Sequence, residues 1–304
     1  PAITTALTLA TLVPEAQGLD LPVTGLQIDS REIGSGDVFL AVVGEVHDGR
    51  DFIGAARAAG AAAIIAEAGV SDLQRASARG LPLVEVVDLA QRAGDIAARC
   101  YGNPSQQMQL VGITGTNGKT TTSRILSQLL RRAFGHCGVV GTLGAVLDNR
   151  VGAVLNTTPD AVSLQRQLAA WRDQSIEHAV LEVSSHALLQ GRVNGLEFKT
   201  AIFTNLTHDH LDYHGDMASY GAAKARLFAM AGLKSAIVNR DDPYSSDMLS
   251  VLAAGVQVWD YSLLDPAASV YASDIVYHDN GIEAQLVTPW GQGKLHSPLA
   301  GDFN

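Results

Sequence analysis

Residues 111–122, Val-Gly-Ile-Thr-Gly-Thr-Asn-Gly-Lys-Thr-Thr-Thr, place two glycines between an apolar strand and a helix, and no other stretch restricts the possible folds as tightly. A strand that turns on glycines into a helix points backbone N–H groups at one place beside the positive end of the helix dipole, which suits a phosphate chain. Gly115, Thr116, Asn117 and Gly118 make the turn, Lys119 reaches the β- and γ-phosphates as a point charge, and Thr120 offers its hydroxyl to Mg2+. Thr121 and Thr122 complete the ATP-binding stretch, with Thr121 assisting. The common phosphate-loop form has a glycine five positions before the Gly-Lys pair; here that position is Ile113, and the nearest glycines are Gly112 and Gly115. The strand-turn-helix setting nevertheless favours nucleotide binding over an ordinary glycine turn followed by a lysine.

The rest of the chain alternates short Val/Ile/Ala-rich runs with amphipathic stretches, the pattern of an α/β fold. Strands are predicted at 23–28, 38–43, 62–66 and 83–87, with helices near 51–59, 71–78 and 89–100. Tyr-Gly-Asn-Pro-Ser at 101–105 then punctuates the chain. The expected organisation is therefore a small α/β domain over 1–103 and a central P-loop ATPase-like domain over 104–304. In the latter, strands at 109–114, 179–183, 200–204 and 235–239 form a parallel sheet. After Val256 short alternating segments at 257–261, 269–277, 282–288 and 293–296 read as antiparallel hairpins appended to that sheet.

Several partners are excluded by composition. A formal net charge of −10 leaves no overall positive field to gather nucleic acid. The two cysteines, Cys100 and Cys137, lie in no metal or disulfide pattern, which fits a reducing cytoplasm. The most apolar stretch, 52–66, is broken by Arg57 and two glycines, so membrane insertion is not expected. The opening residues lack a secretory signal, and a start at Pro1 rather than Met implies that the true start was processed or omitted.

The compact loop Gly-Thr-Asn-Gly-Lys-Thr-Thr at 115–121 resembles that of the Mur ligase family and of the related folylpolyglutamate synthetases. Further segments resemble the Mur branch that adds the third residue of the muropeptide: Asp29-Ser30-Arg31, Gly36-Asp37-Val38-Phe39, Asp48-Gly49-Arg50, Asn156-Thr157-Thr158-Pro159-Asp160, Glu182-Val183-Ser184-Ser185-His186 and Asp209-His210-Leu211-Asp212-Tyr213-His214. Together they span most of the chain.

The resemblance implies that the first domain holds a uridine diphosphate through Ile28, Ser30 and the loop Glu45, Val46 and His47. Taken alone, each of these would read as a solvated turn or cap. Sugar and dipeptide contacts map onto Asn156, Thr157, Thr158, Ser184, Gln190 and Arg192, whose hydroxyls, amides and guanidinium suit an anionic acyl dipeptide. Glu182, closing a strand where α/β sheets place ligand groups, would hold Mg2+ with Thr120, and His210 a second Mg2+. Among His208, His210 and His214 only the resemblance selects, and their spacing is not that of a zinc site. Lys224 matches a family lysine that carries a CO2-derived carbamate, an anion able to ligate Mg2+ or orient the γ-phosphate. From its own neighbourhood it would read as a solvated helix residue, and the modification requires a depressed pKa.

The implied activity is that of an ATP-dependent ligase of peptidoglycan precursor synthesis, joining a third residue, diaminopimelate or lysine with overall likeness favouring diaminopimelate, to UDP-MurNAc-L-Ala-D-Glu through an acyl phosphate, with Lys119, Glu182, His210 and Lys224 as the catalytic set. A cytoplasmic monomer is expected. Family members continue past the closing 299–304 segment into a third domain that holds the amino-acid site, so this chain is expected to bind substrate without full turnover. Another P-loop ATPase or kinase would leave 1–100 without a role, and a bare nucleotide-sugar binding module would lack turnover altogether. A Ser/His hydrolase at 184–186 lacks the GxSxG elbow.

Overall fold

The computed structural model describes residues 7–147, 150–152 and 156–299, side chains of 150–152 excepted; the closing residues 300–304 and the opening 1–6 lie outside the described residues. Strands are β1 (Gly25–Gln27), β2 (Asp37–Ala41), β3 (Ala63–Glu67), β4 (Leu83–Val86), β5 (Gln109–Thr114), β6 (Gly138–Gly141), β7 (Gly144–Leu147), β8 (Arg150–Gly152), β9 (His178–Glu182), β10 (Thr200–Phe203), β11 (Ser235–Asn239), β12 (Gln257–Ser262), β13 (Val270–His278), β14 (Gly281–Thr288) and β15 (Gly291–Ser297). Helices are α1 (Leu9–Leu12), α2 (Ile53–Ala58), α3 (Asp72–Ser77), α4 (Leu89–Cys100), α5 (Lys119–Phe134), α6 (Ala161–Arg172), α7 (Ser185–Leu189), α8 (Leu211–His214), α9 (Met217–Ala225) and α10 (Ser245–Ser250). No helix of the described residues is long and apolar enough to cross a membrane.

Two compact units form. The first joins the chain up to Met108 with Pro159–Glu177 and Ala187–Leu196. Its four parallel strands run in the order β1-β2-β3-β4. Side chains alternate across a sheet with a period of two, so a strand covered on both faces must be apolar throughout. On β2 and β3, Val38, Leu40, Ala63 and Ile65 enter one core with Ile96 and Val162, while Phe39, Ala41, Ile64 and Ala66 enter the other with Ile53 and Ala56. Helix α6 follows β5 in the chain yet contributes to the first of these cores through Val162, and Tyr101 and Gly102 carbonyls accept from Arg172 at its end. The Tyr101 hydroxyl meets both the N–H and the C=O of Leu26 on the edge strand β1.

The second unit holds Gln109–Thr158, His178–His186 and the chain from Glu197 onward. Its sheet has the order β15-β14-β13-β12-β11-β10-β5-β9-β6-β7-β8. Parallel pairing runs from β6 through β9, β5, β10 and β11 to β12, and Ile113, Val180 and Ile202 from three neighbouring strands share one core with Cys137. Two features differ from the sequence expectation. Strand β12 pairs parallel to both β11 and β13, so the antiparallel region begins only at β13 and β14; alternation reports which face is buried and carries no strand direction. Between 138 and 152, where no strand is expected, β6, β7 and β8 are short and bounded by Gly138, Gly141, Gly144 and Gly152, so each offers too few apolar residues to register as a strand.

Helix starts are fixed by side chains. Asp160 accepts from the Ser163 N–H at α6, and Asp216 from the Ser219 N–H at α9, each satisfying one of the amides a helix start leaves open.

Gly94 tests how tightly the first unit is packed, because a Cβ there would lie 2.0 Å from the Asn194 carbonyl oxygen. Glycine to alanine inside a helix ordinarily stabilises by up to ~1 kcal/mol. Here the contact is backbone, so Gly94→Ala is expected to destabilise by about 1–3 kcal/mol, as overpacking does. Urea unfolding reads the sign, and a stabilised variant would contradict the contact between α4 and the 191–195 turn.

Candidate active site

Strand β5 ends at Thr114 and the chain reaches α5 through a turn that only glycine permits at both ends. Gly115 has φ 147°, and a Cβ on it would sit 1.9 Å from the Thr204 hydroxyl; Gly118, with φ 82°, caps α5. Asn205, which sequence reading passed over, clamps the turn. Its carbonyl accepts the Thr116 N–H at 2.8 Å and its side-chain oxygen the Asn117 N–H at 3.0 Å. Thr204 donates to the Asn117 carbonyl at 2.7 Å. With those two amides bonded internally, the N–H groups at the start of α5 are the ones that face an anion.

The Lys119 ammonium folds back on the turn, donating to the Gly115 carbonyl at 2.7 Å and the Thr116 carbonyl at 2.8 Å. Burial pulls its pKa below the ordinary lysine value, against the opposing pull of Glu182 and Asp209. Lys224, on α9, donates to the same Gly115 carbonyl at 3.0 Å and lies 4.3 Å from the centroid of the Tyr220 ring. It is 1% exposed, unlike the solvated helix lysine its neighbours suggest. Burial, and then the charge of Lys119, lower its pKa to about 7.

Glu182 is 2% exposed at the end of β9. Its carboxylate accepts from Thr120 at 2.9 Å, Ser123 at 3.2 Å and Thr142 at 3.1 Å, and its carbonyl accepts from Thr158 at 2.9 Å. Thr157 meets Thr142 at 3.1 Å, and Ser184 meets the Thr158 hydroxyl through its own N–H. The structure thus gathers Thr120, Glu182, Thr157, Thr158 and Ser184, and adds Ser123 and Thr142. Ser123 stands one helical turn after Thr120, a spacing that could have found it; nothing local singles out Thr142. A Cβ on Gly141 would meet the Glu182 carboxylate at 2.1 Å, so the carboxylate depends on a glycine opposite it.

No group of three His, Cys, Asp or Glu side chains among the described residues forms a ready-made metal cage. One carboxylate beside hydroxyls at a helix start fits a hard cation that keeps waters and takes phosphate oxygens, and does not fit zinc.

The three candidate histidines have different surroundings. His210 caps α8 with φ 52°, its side chain half exposed, 3.5 Å from the Asp209 carboxylate and with its ring against His186. His214 is buried and its Nε2 lies 2.9 Å from the Ser185 hydroxyl; burial, then His186, Lys224 and His210, lower its pKa. His208 is exposed.

In the first unit, Ile28 and the nearly buried Ser30 flank Asp29, which caps the short turn Ser30–Glu32. Glu45, Val46 and His47 form a turn closed by the Gly44 N–H on the His47 carbonyl at 2.9 Å, with Val46 outward and His47 edge-on to Phe52. Gln190 donates to the Glu45 carboxylate at 2.9 Å and accepts from Arg192. Glu45, Gln190 and Arg192 therefore meet, whereas Asn156 is exposed in the other unit.

Comparison with known proteins places these features in a family. The description "Mur ligase middle domain" matches residues 113–304, and "Mur ligase family, catalytic domain" matches residues 22–101. The UDP-N-acetylmuramoyl-L-alanyl-D-glutamate--2,6-diaminopimelate ligase of Alkalilimnicola ehrlichii is 46% identical over 292 residues, covering 94% of this chain and 59% of that protein. The Pseudomonas aeruginosa protein of the same name is 44% identical over 299 residues, covering 98% and 60%. The chain thus spans about three fifths of the length of these curated relatives. A solved structure of a ligase of that name aligns with TM-score 0.84 and 33% identity over 98% of this chain and 61% of its own. MurF from Acinetobacter baumannii, at TM-score 0.69 and 22% identity over 97% and 61%, shares the fold.

The buried Lys224 amine generates a stability test. Its pKa is about 7 folded against 10.5 ordinarily, so between those values the unfolded chain holds more protons and stability rises with pH. Lys224→Met should flatten that rise and stabilise the chain near neutrality by about 1–4 kcal/mol, as hydrophobic replacement of buried charge does. Urea midpoints from neutral to alkaline pH in CO2-free buffer check it; a parent profile that stays flat would contradict the burial.

Proposed function

The chain belongs to the Mur ligase family, and from that premise we propose that it carries the acceptor-binding and ATP-binding parts of the ligase that joins diaminopimelate to UDP-MurNAc-L-Ala-D-Glu in peptidoglycan precursor synthesis. The observation that carries the reading is the convergence of Lys119 and Lys224 on the Gly115 carbonyl, with Glu182 and Thr120 bonded beside the same helix start. Residues 1–103 take the uridine diphosphate through Ile28, Ser30 and the 45–47 turn, and 104–304 take ATP. Thr157, Thr158, Ser184, Gln190 and Arg192 take the sugar and dipeptide, and Asn156 joins them on resemblance alone.

In this reading a D-Glu side-chain carboxylate oxygen attacks the γ-phosphorus of ATP and ADP leaves. The acyl phosphate so formed is opened by the incoming amine, and phosphate departs. The helix-start amides and Lys119 orient the phosphate chain and stabilise its charge, so the protein acts by position and electrostatics rather than through a nucleophilic side chain. Glu182 and Thr120 would hold one Mg2+ and His210 a second, and such ions would supply Lewis-acid neutralisation of the phosphoryl charge. Lys224, neutral in a substantial fraction near pH 7, is chemically able to add CO2 as a carbamate, converting a cation into an anion beside the phosphate turn. The protein is assigned to the cytoplasm and to a monomer. A hydrolase built on Ser184, Ser185 and His186 is disfavoured, because the GxSxG elbow is absent and Ser185 is buried, with its hydroxyl 2.9 Å from His214 Nε2.

Calorimetric titration with UDP-MurNAc-L-Ala-D-Glu tests the acceptor site, with UDP-GlcNAc and a folate as controls. Saturable binding is expected, weakened about tenfold or more by Arg192→Ala and severalfold by Ser30→Ala. No binding by a folded sample would overturn the assignment. For the nucleotide site, Gly141→Ala should displace the Glu182 carboxylate and reduce Mg2+-dependent ATP affinity by about 10-fold or more while sparing binding in EDTA. An unchanged Mg2+ dependence would remove Glu182 from the metal site.

A further inference from the structure

The geometry points to Glu45 as an internal competitor for the acceptor's carboxylate, setting how selectively the first unit takes an acidic dipeptide. This rests on the acceptor-binding reading above. Glu45 is held on a rigid support: the turn closes through Gly44 and His47, its base is pinned by the Val43 and Asp48 bridge, and the Gly49 N–H reaches the Val42 carbonyl at 2.9 Å. A Cβ on Gly49 would lie 2.4 Å from that carbonyl, so the base of the turn has no slack.

Gln190 and Arg192 are equally fixed. The Arg192 N–H donates to the Ala187 carbonyl and the Asn194 N–H to the Gly191 carbonyl, Gly191 and Gly195 take positive φ, and the Asn194 amide donates to the Gln91 carbonyl on α4. Two supports within one compact unit thus present a carboxylate to an amide that is itself bonded to a guanidinium.

Within the 45–47 turn proposed to take the uridine diphosphate, the Glu45 carboxylate itself poorly suits the anionic phosphates, and the structure turns it toward Gln190. That pairing reproduces the chemistry of a substrate carboxylate on the same amide, whose oxygen Arg192 holds. In the proposed reaction the D-Glu side-chain carboxylate must be left to attack phosphorus, so the group bound by Gln190 and Arg192 is the α-carboxylate. Glu45 occupies that position until the α-carboxylate displaces it. An acceptor without this charge gains nothing in exchange for breaking the internal pair, so Glu45 raises discrimination at some loss of affinity.

Titration calorimetry on the whole chain with UDP-MurNAc-L-Ala-D-Glu decides it. Glu45→Ala is expected to bind about two- to fivefold tighter than the parent, the range for releasing an exposed charge-assisted pair, with Glu45→Gln intermediate. The gain should vanish in an Arg192→Ala background and shrink for the acceptor whose α-carboxylate is amidated, neither of which a mere loosening of the turn would produce. If the parent binds and Glu45→Ala binds equally or more weakly, the inference fails while the acceptor reading stands. If neither binds, the acceptor reading fails and the inference falls with it.

Discussion

A single backbone carbonyl, that of Gly115, organises the candidate site. It accepts from two lysine amines, on α5 and on α9, while its own Cα abuts the Thr204 hydroxyl. Burial deprives both ammonium groups of water, so both pKa values fall, and the added charge of Lys119 helps bring Lys224 to about 7. A polyphosphate would answer this arrangement with the charge that the amines and the helix start lack, and the glycine is what lets the turn pack against Thr204. Any side chain at 115 would collide with Thr204 before a phosphate arrived.

How much of this was legible follows from how local each signal is. The phosphate turn is contiguous, so strand, glycines, lysine and hydroxyl appear together in residues 111–122. The buried strands β2 and β3 were legible for the same reason, since both faces are covered and the runs are apolar throughout. Lys224 was not, because an amine among alanines on a helix looks the same in solvent or buried; its burial comes from Tyr220 and the distant turn. The role of Asn205 in clamping the turn depends on β10 lying beside β5, a pairing no short window contains. Likewise α6 contributes Val162 to a core built from strands far earlier in the chain.

Glu182 shows why hydroxyls rather than a lysine surround the site's buried carboxylate. A buried carboxylate held by an ammonium would be satisfied but neutralised, and a cation would then have to compete for it. Among the described residues Glu182 makes no ion pair; Thr120, Ser123 and Thr142 each donate to it instead. Hydrogen bonds to a charged group contribute about 1.5–3 kcal/mol each, so three of them go far to offset a desolvation penalty of several kcal/mol. They do so without cancelling its charge. The amines remain on the Gly115 carbonyl, and the carboxylate remains on the three hydroxyls. Charges of both signs are thereby buried near one another without being paired, a costly arrangement for stability alone and a useful one for a ligand that brings phosphate to one side and a divalent cation to the other.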